Sequence, residues 1–137
     1  MVKLVTDEPG SKEARAKVKN LLREEYLLYT VDIALGESLN AIWKHVNIHR
    51  DLKMGEVEST IHDLTKIYDA IRVLTTRELS REAMEIALAE NITIYDSVYI
   101  AAARKLKATL ITADKKLYHT SKKMVQSELL GETLPQA

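Results

Sequence analysis

The hydrophobic and polar positions of the chain follow helical and strand-like patterns in turn. Apolar residues recur at helical spacing in five segments, which we predict as helices: 11–25, 32–49, 54–70, 78–90 and 96–106. Short runs that favour strands lie at 27–31, 71–74 and 109–112. A further short helix is predicted after Asp114. Strands that alternate with helices are typical of a sheet covered on both faces, so the pattern predicts a three-layer α/β/α fold with a central parallel sheet.

The same pattern predicts where the helices begin and which side they bury. Polar residues suited to capping stand at four predicted helix starts: Ser11, Asp32, Asp96 and Asp114. Asn91 is predicted to end the helix before it. In the helix at 32–49 we expect one face to be buried, that of the large apolar residues Leu35, Leu39, Ile42 and Val46. Glu37 would then project on the opposite, solvated side.

Length, cysteine count and charge narrow the class of protein. The 137 residues suit one domain, which we place at 1–125, with a C-terminal tail at 126–137 that we expect to be poorly ordered at its end. Cysteine is absent, which excludes disulfides, a thiol nucleophile and a cysteine zinc site. The formal net charge is zero, so binding of nucleic acid would depend on local clusters. Without an apolar run of membrane length or a signal-peptide pattern, we expect a cytoplasmic protein with no membrane contact.

Three carboxylates stand where a parallel sheet would place a site. Asp114 follows the predicted strand at 109–112, Asp96 begins a helix, and Glu37 lies early in the helix after the first strand. Because ligands bind beyond the carboxyl ends of parallel strands, these side chains could converge on one rim. Clustered carboxylates suit a hard divalent cation such as Mg²⁺ or Mn²⁺. The alternatives are structural, with Asp96 and Asp114 as helix caps and Glu37 as a solvated residue.

Several stretches carry a resemblance to a known family. YDSVYIAAA at 95–103, followed by LITADKKL at 110–117, resembles the C-terminal half of a PIN domain. GESLNAI at 36–42 is similar to the glutamate-bearing helix of that family, and the segment at 3–11 is similar to its first helix and turn. The resemblance extends to about residue 122. It implies the PIN fold, with the first strand absent from this chain.

The resemblance implies a metal-dependent endoribonuclease, most similar to the toxins of VapBC toxin–antitoxin pairs. In that family four acidic residues surround Mg²⁺ or Mn²⁺, and Glu37, Asp96 and Asp114 match the second, third and fourth. Thr112 matches a hydroxyl position near the metal. An RNA substrate, a homodimer and an antitoxin partner are implied as well. The first acid would lie on a strand before Met1, so either the natural chain is longer or the protein is a remodelled relative.

Other residues have competing interpretations. A basic cluster beside Asp114 could hold RNA phosphates or be simply solvated; it consists of Lys115, Lys116, Lys122 and Lys123. Three tyrosines could stack on bases, although Tyr99 could equally pack against the sheet: Tyr95, Tyr99 and Tyr118. His45 and His49 have a spacing that can bind zinc, although two surface histidines are the simpler interpretation. Trp43 is predicted as a core or subunit-interface anchor.

Three functions stay open on the sequence alone. The leading hypothesis is a ribonuclease, probed by the loss of activity when a metal-binding carboxylate is neutralised. The alternative is a catalytically impaired PIN-like module that binds RNA or a protein partner without cleavage. A purely structural subunit would bind neither manganese nor RNA.

Overall fold

Six α-helices and four short strands form the part of the chain that the computed structural model describes, residues 1–131. The helices are α1 (Ser11–Arg23), α2 (Ile33–Asn47), α3 (Val57–Ala70), α4 (Thr76–Glu90), α5 (Ile94–Leu106) and α6 (Lys115–Ser121). The strands are β1 (Tyr29–Val31), β2 (Arg72–Leu74), β3 (Leu110–Thr112) and β4 (Ser127–Leu129). Short 3₁₀ helices span Val2–Leu4 and Met54–Glu56. The end of the predicted tail, 132–137, lies outside the described residues.

The chain divides into two units, the first ending at Val73 and the second beginning at Leu74. The core of the first unit takes buried apolar residues from four elements: Ala14, Val31, Ala34, Ile42 and Leu64. In its strand pair, β1 with β2, the N–H of Arg72 donates to the carbonyl oxygen of Leu28 (3.1 Å). The 3₁₀ helix at Val2–Leu4 contacts both α1 and α2. The N-terminal segment is therefore packed onto the helix that carries Glu37.

The buried face of α2 differs from the predicted one. Ala34, Ser38 and Ile42 are buried. Leu39, which was predicted inside, keeps 38% of its surface exposed. Ile42 is buried as predicted, and the small residues Ala34 and Ser38 allow the helix to pack closely on a face shifted from the predicted one. Glu37 comes three residues after Ala34 and directly before Ser38, so it borders the buried face instead of opposing it.

In the second unit, α4 packs against α5, and a parallel strand pair follows them. Leu110 of β3 lies opposite Ser127 of β4, and Thr112 lies opposite Leu129. The N–H of Leu130 then donates to the Thr112 carbonyl oxygen (2.7 Å). Strand β4 lies in the segment predicted as a tail, and it was not predicted because its short, mixed sequence shows neither an apolar run nor alternation. The core of the second unit comes mainly from α4 and α5: Leu79, Ala83, Ile86, Val98, Ile100 and Ala101.

Helix starts and ends test the predicted caps. Ser11 does not cap α1: it follows the left-handed Gly10 (φ 90°), and its Oγ accepts a hydrogen bond from the Glu8 N–H (3.1 Å). Asp32 stands at the N-cap position of α2 but makes no side-chain capping bond. Asn91 ends α4 in the left-handed conformation (φ 53°), as predicted. No helix within residues 1–131 is long and apolar enough to cross a bilayer.

Candidate active site

Asp114 lies at the junction of β3 and α6. Its Oδ1 accepts hydrogen bonds from the backbone N–H groups of Lys116 (2.9 Å) and Leu117 (3.2 Å), so Asp114 is the predicted N-cap of α6. The Asp114 N–H in turn donates to the Thr112 hydroxyl (3.0 Å). Strand, turn and cap together fix this carboxylate. Thr112 therefore has a structural role in this turn, and its predicted position near a metal stays a prediction.

Asp96 lies in the first turn of α5, and the prediction that it caps this helix is wrong. The helix begins at Ile94, and the Thr93 hydroxyl accepts the hydrogen bond from the Asp96 N–H (3.2 Å). The Asp96 carboxylate is thus not the cap of α5, which removes capping as the structural explanation for this residue. A threonine three residues before an acidic residue is the sequence feature that could have identified the true cap.

Charge links the two aspartates. Burial raises the pKa of Asp96, the negative charge of Asp114 raises it further, and Lys116 lowers it. The two carboxylates are therefore near enough to repel each other. Such a pair fits a hard divalent cation, whose charge would offset the repulsion. Within residues 1–131, no group of three or more His, Cys, Asp or Glu side chains is gathered as metal ligands.

Glu37 belongs to the first unit, in the second turn of α2, and is exposed. It lies near the amino group of Met1. Burial lowers the pKa of that amino group, and the charges of Glu37 and Glu8 act in the opposite direction without overcoming it. Glu37 thus faces the N-terminal segment of its own unit. Its participation in one site with Asp96 and Asp114 stays a prediction.

The predicted basic cluster divides into lysines with different neighbours. The charge of Lys116 acts on Asp96. Lys122 lies over a tyrosine ring, 5.4 Å from its centroid, and Lys123 pairs with a glutamate of α4 (3.6 Å). Lys115 also interacts with another group of the protein and is therefore not a free cation. Lys116 is therefore the member best placed to meet a phosphate beside the aspartates, and the RNA role of the cluster stays a prediction.

His45 is not available as a zinc ligand. Its ring centroid lies 5.4 Å from that of His49, but its two nitrogens face carboxylate oxygens of Asp51 (2.7 Å) and Glu8 (3.2 Å). Sequence reasoning missed this arrangement because Glu8 and His45 are 37 residues apart. Trp43 keeps 55% of its surface exposed, so its prediction as a core residue is wrong, whereas the subunit-interface alternative stays a prediction.

Comparisons with known proteins concern the family and the fold. The sequence model of the PIN domain matches residues 1–123. Ribonuclease VapC3 of Pyrobaculum aerophilum is 32% identical over 90 residues, which cover 66% of this chain and 68% of that protein. The crystal structure of PAE2754 from Pyrobaculum aerophilum matches with a TM-score of 0.64 and 22% identity, over 88% of this chain and 85% of the other, and supports the fold alone. The predicted α/β PIN-like fold is thereby confirmed, and the chain belongs to the PIN domain family.

Proposed function

We propose that the protein is a metal-dependent endoribonuclease of the VapC type, in which Glu37, Asp96 and Asp114 bind Mg²⁺ or Mn²⁺. The observation that carries this proposal is the pair of aspartates: burial raises the pKa of Asp96, and the nearby negative charge of Asp114 raises it further. The cap of α5 does not require the Asp96 carboxylate, and two like charges placed together are typical of functional sites. The similarity to a ribonuclease supports the choice of reaction.

The roles of the side chains follow from their positions. When bound, the metal would polarise the scissile phosphate and lower the pKa of an attacking water. Asp114 holds its carboxylate rigid because two backbone N–H groups and the turn at Thr112 fix it. Lys116 would contact a phosphate oxygen as a point charge. Tyr95, which is 62% exposed and precedes Asp96, would stack on a base.

The proposal also covers the binding partners of the protein and its cellular location. The likeness to a VapC ribonuclease supports a toxin whose activity a separate antitoxin blocks. We further propose a homodimer that acts on RNA in the cytoplasm. The exposed Trp43 supports an interface on α2, because large aromatic residues are enriched where proteins meet.

The test combines manganese binding with RNA cleavage. Calorimetric titration of the full chain with Mn²⁺ should show binding in the millimolar range or tighter, and single-stranded RNA should yield products with 5′-phosphates and 3′-hydroxyls only when metal is present. Asp96→Asn and Asp114→Asn should each lower the cleavage rate about 100-fold or more, since each removes a ligand charge. Glu85→Gln, which neutralises an exposed carboxylate on α4, serves as the matched control. Equal cleavage by all four proteins would remove the metal-site assignment.

One observation favours the alternative of a non-catalytic binding module. Within residues 1–131, three metal-ligating side chains are not gathered in one group, so the carboxylate set could be too small for tight metal binding. This alternative predicts RNA binding without metal-dependent cleavage and no heat of manganese binding. A purely structural subunit would show neither.

A further inference from the structure

A histidine in the first unit is enclosed by two carboxylates. The side chain of His45, on α2, is only 13% exposed. Its Nδ1 lies 2.7 Å from Oδ1 of Asp51, and its Nε2 lies 3.2 Å from Oε1 of Glu8. Asp51 belongs to the loop after α2, and Glu8 belongs to the turn before α1. The ring therefore joins three separate parts of the unit.

The two contacts require a particular protonation state. A neutral imidazole has one N–H group, whereas an ionised carboxylate only accepts hydrogen bonds. In the neutral form, one of the two contacts would place a nitrogen lone pair against a carboxylate oxygen. The imidazolium ion donates from both nitrogens and satisfies both Asp51 and Glu8, in charge-assisted bonds that are stronger than neutral ones.

Glu8 connects the ring to the N-terminal segment, residues 2–8. Its carboxylate also accepts hydrogen bonds from the Thr6 hydroxyl (2.7 Å) and from the Lys3 ammonium (3.2 Å). On the other side, the N–H of Asp51 donates to the His45 carbonyl oxygen (3.0 Å), which closes the loop after α2 around the same residue. Loss of the ring's second proton would thus weaken the link between the N-terminal segment and α2.

We propose that His45 is a proton-operated clasp, which holds residues 2–8 against α2 when the ring is protonated and releases them when it is neutral. The clasp acts on the segment that packs beside the Glu37-bearing helix. It goes beyond the proposed ribonuclease function and does not depend on it.

The charges around the ring favour its protonated form, which is the closed state of the clasp. Burial lowers the pKa of His45, but the hydrogen bond and charge of Asp51, together with those of Glu8, outweigh it and raise the pKa above its usual value. A cavity of about 560 Å³ lies against the ring and gives solvent access to it. The titratable and charged groups near the ring, the cavity or Glu8 are the Met1 amino group, Lys3, Asp7, Glu8, Arg15, Lys44, His49, Asp51, Glu56 and Asp63.

The direction of the pH effect follows from linkage. Because the folded-state pKa of His45 is raised, its stabilising contribution is complete below the unfolded value and is lost as the pH rises through the folded one. The pKa of Glu8 is lowered, so its contribution is lost only in acid. The clasp is therefore closed between the lowered pKa of Glu8 and the raised pKa of His45, and it opens on the alkaline side.

The test is an NMR titration of the full chain with ¹⁵N-labelled histidine, combined with amide hydrogen exchange corrected for the intrinsic pH dependence. His45 should titrate above its ordinary value, with both nitrogens protonated in the closed state. Across that titration, exchange protection of the Thr6 and Asp51 amides should fall about tenfold, whereas the buried Leu64 amide in α3 should keep its protection. His49→Gln should behave like the wild type, and His45→Gln should lose the pH dependence.

The wild-type titration decides the matter even if His45→Gln does not fold. A single neutral tautomer of His45 at pH 6, or protection of the Thr6 amide that stays constant through the titration, would overturn the proposal. Neither result depends on cleavage of RNA.

Discussion

Burial raises the pKa of Asp96, and the negative charge of Asp114 raises it further. The two aspartates differ in what holds them: Asp114 caps its own helix through Oδ1, whereas Asp96 depends on the hydroxyl of Thr93 for the cap of α5. Two backbone N–H groups therefore stabilise the Asp114 carboxylate, whereas the cap of α5 does not involve the Asp96 carboxylate. Without a cation, the negative charge of Asp96 opposes folding instead of supporting it.

Asp96→Asn should not destabilise the metal-free protein at neutral pH. Because the folded-state pKa of Asp96 is raised, its ionisation costs folding free energy as the pH rises above the unfolded value of about 3.9. The variant should be at least as stable as the wild type in urea unfolding with a chelator at pH 7, and the two should converge near pH 3. A variant that is clearly less stable at pH 7 would show that the carboxylate has a structural role.

Two substitutions of Asp114 should distinguish its role as a helix cap from its proposed role as a metal ligand. Asp114→Asn keeps a capping oxygen and should leave stability nearly unchanged, whereas Asp114→Ala should lose about 1 kcal/mol of unfolding free energy. Both variants should lose RNA cleavage. Thr75→Ala provides the control, because Thr75 forms the capping box of α4 and its loss should cost a similar free energy while cleavage persists. Cleavage that follows stability in all three variants would mean that Asp114 acts only as a cap.

Lys116 should contribute more to RNA binding than Lys123. In the inactive Asp114→Asn background, Lys116→Gln should lower affinity for single-stranded RNA and reduce the slope of log K against log salt by about 0.7. Lys123 pairs with Glu90 (3.6 Å), so Lys123→Gln should have the smaller effect. Affinity and salt dependence can be measured by fluorescence anisotropy. Equal slopes for the two variants would place RNA elsewhere on the protein.

Glu8→Gln should destabilise the first unit in a limited pH range. Burial raises the pKa of Glu8, but hydrogen bonds from Thr6 and Lys3 and the nearby positive charges outweigh it, so the pKa is lowered. The stabilisation it provides is present above the unfolded value of about 4.3 and is lost as the pH falls through the folded value. The unfolding free energy of the variant should lie below that of the wild type at pH 6 and meet it in acid. Glu24→Gln, at an exposed position, should show no such window.

Local features of the sequence predicted more than long-range ones. The helices, the strand before Asp114 and its cap depend on neighbouring residues, so periodicity and capping preference were sufficient to find them. The burial of Ala34 and Ser38 could not be predicted, because a hydrophobic pattern favours large side chains and ignores how closely a helix approaches its neighbours. The contact of His45 with Glu8 is a property of the folded chain, since no local pattern connects positions 37 residues apart.

Strand β4 connects residues 127–130 to the turn that carries Asp114. The N–H of Leu130 donates to the carbonyl oxygen of Thr112, and the hydroxyl of that threonine accepts a hydrogen bond from the Asp114 N–H. An affinity tag or a binding protein that separates residues 127–131 from β3, or a truncation that removes them, would destabilise this turn without altering a carboxylate. A variant that lacks residues 127–131 should therefore lose this support of Asp114, and with it RNA cleavage, although every predicted metal ligand is still present.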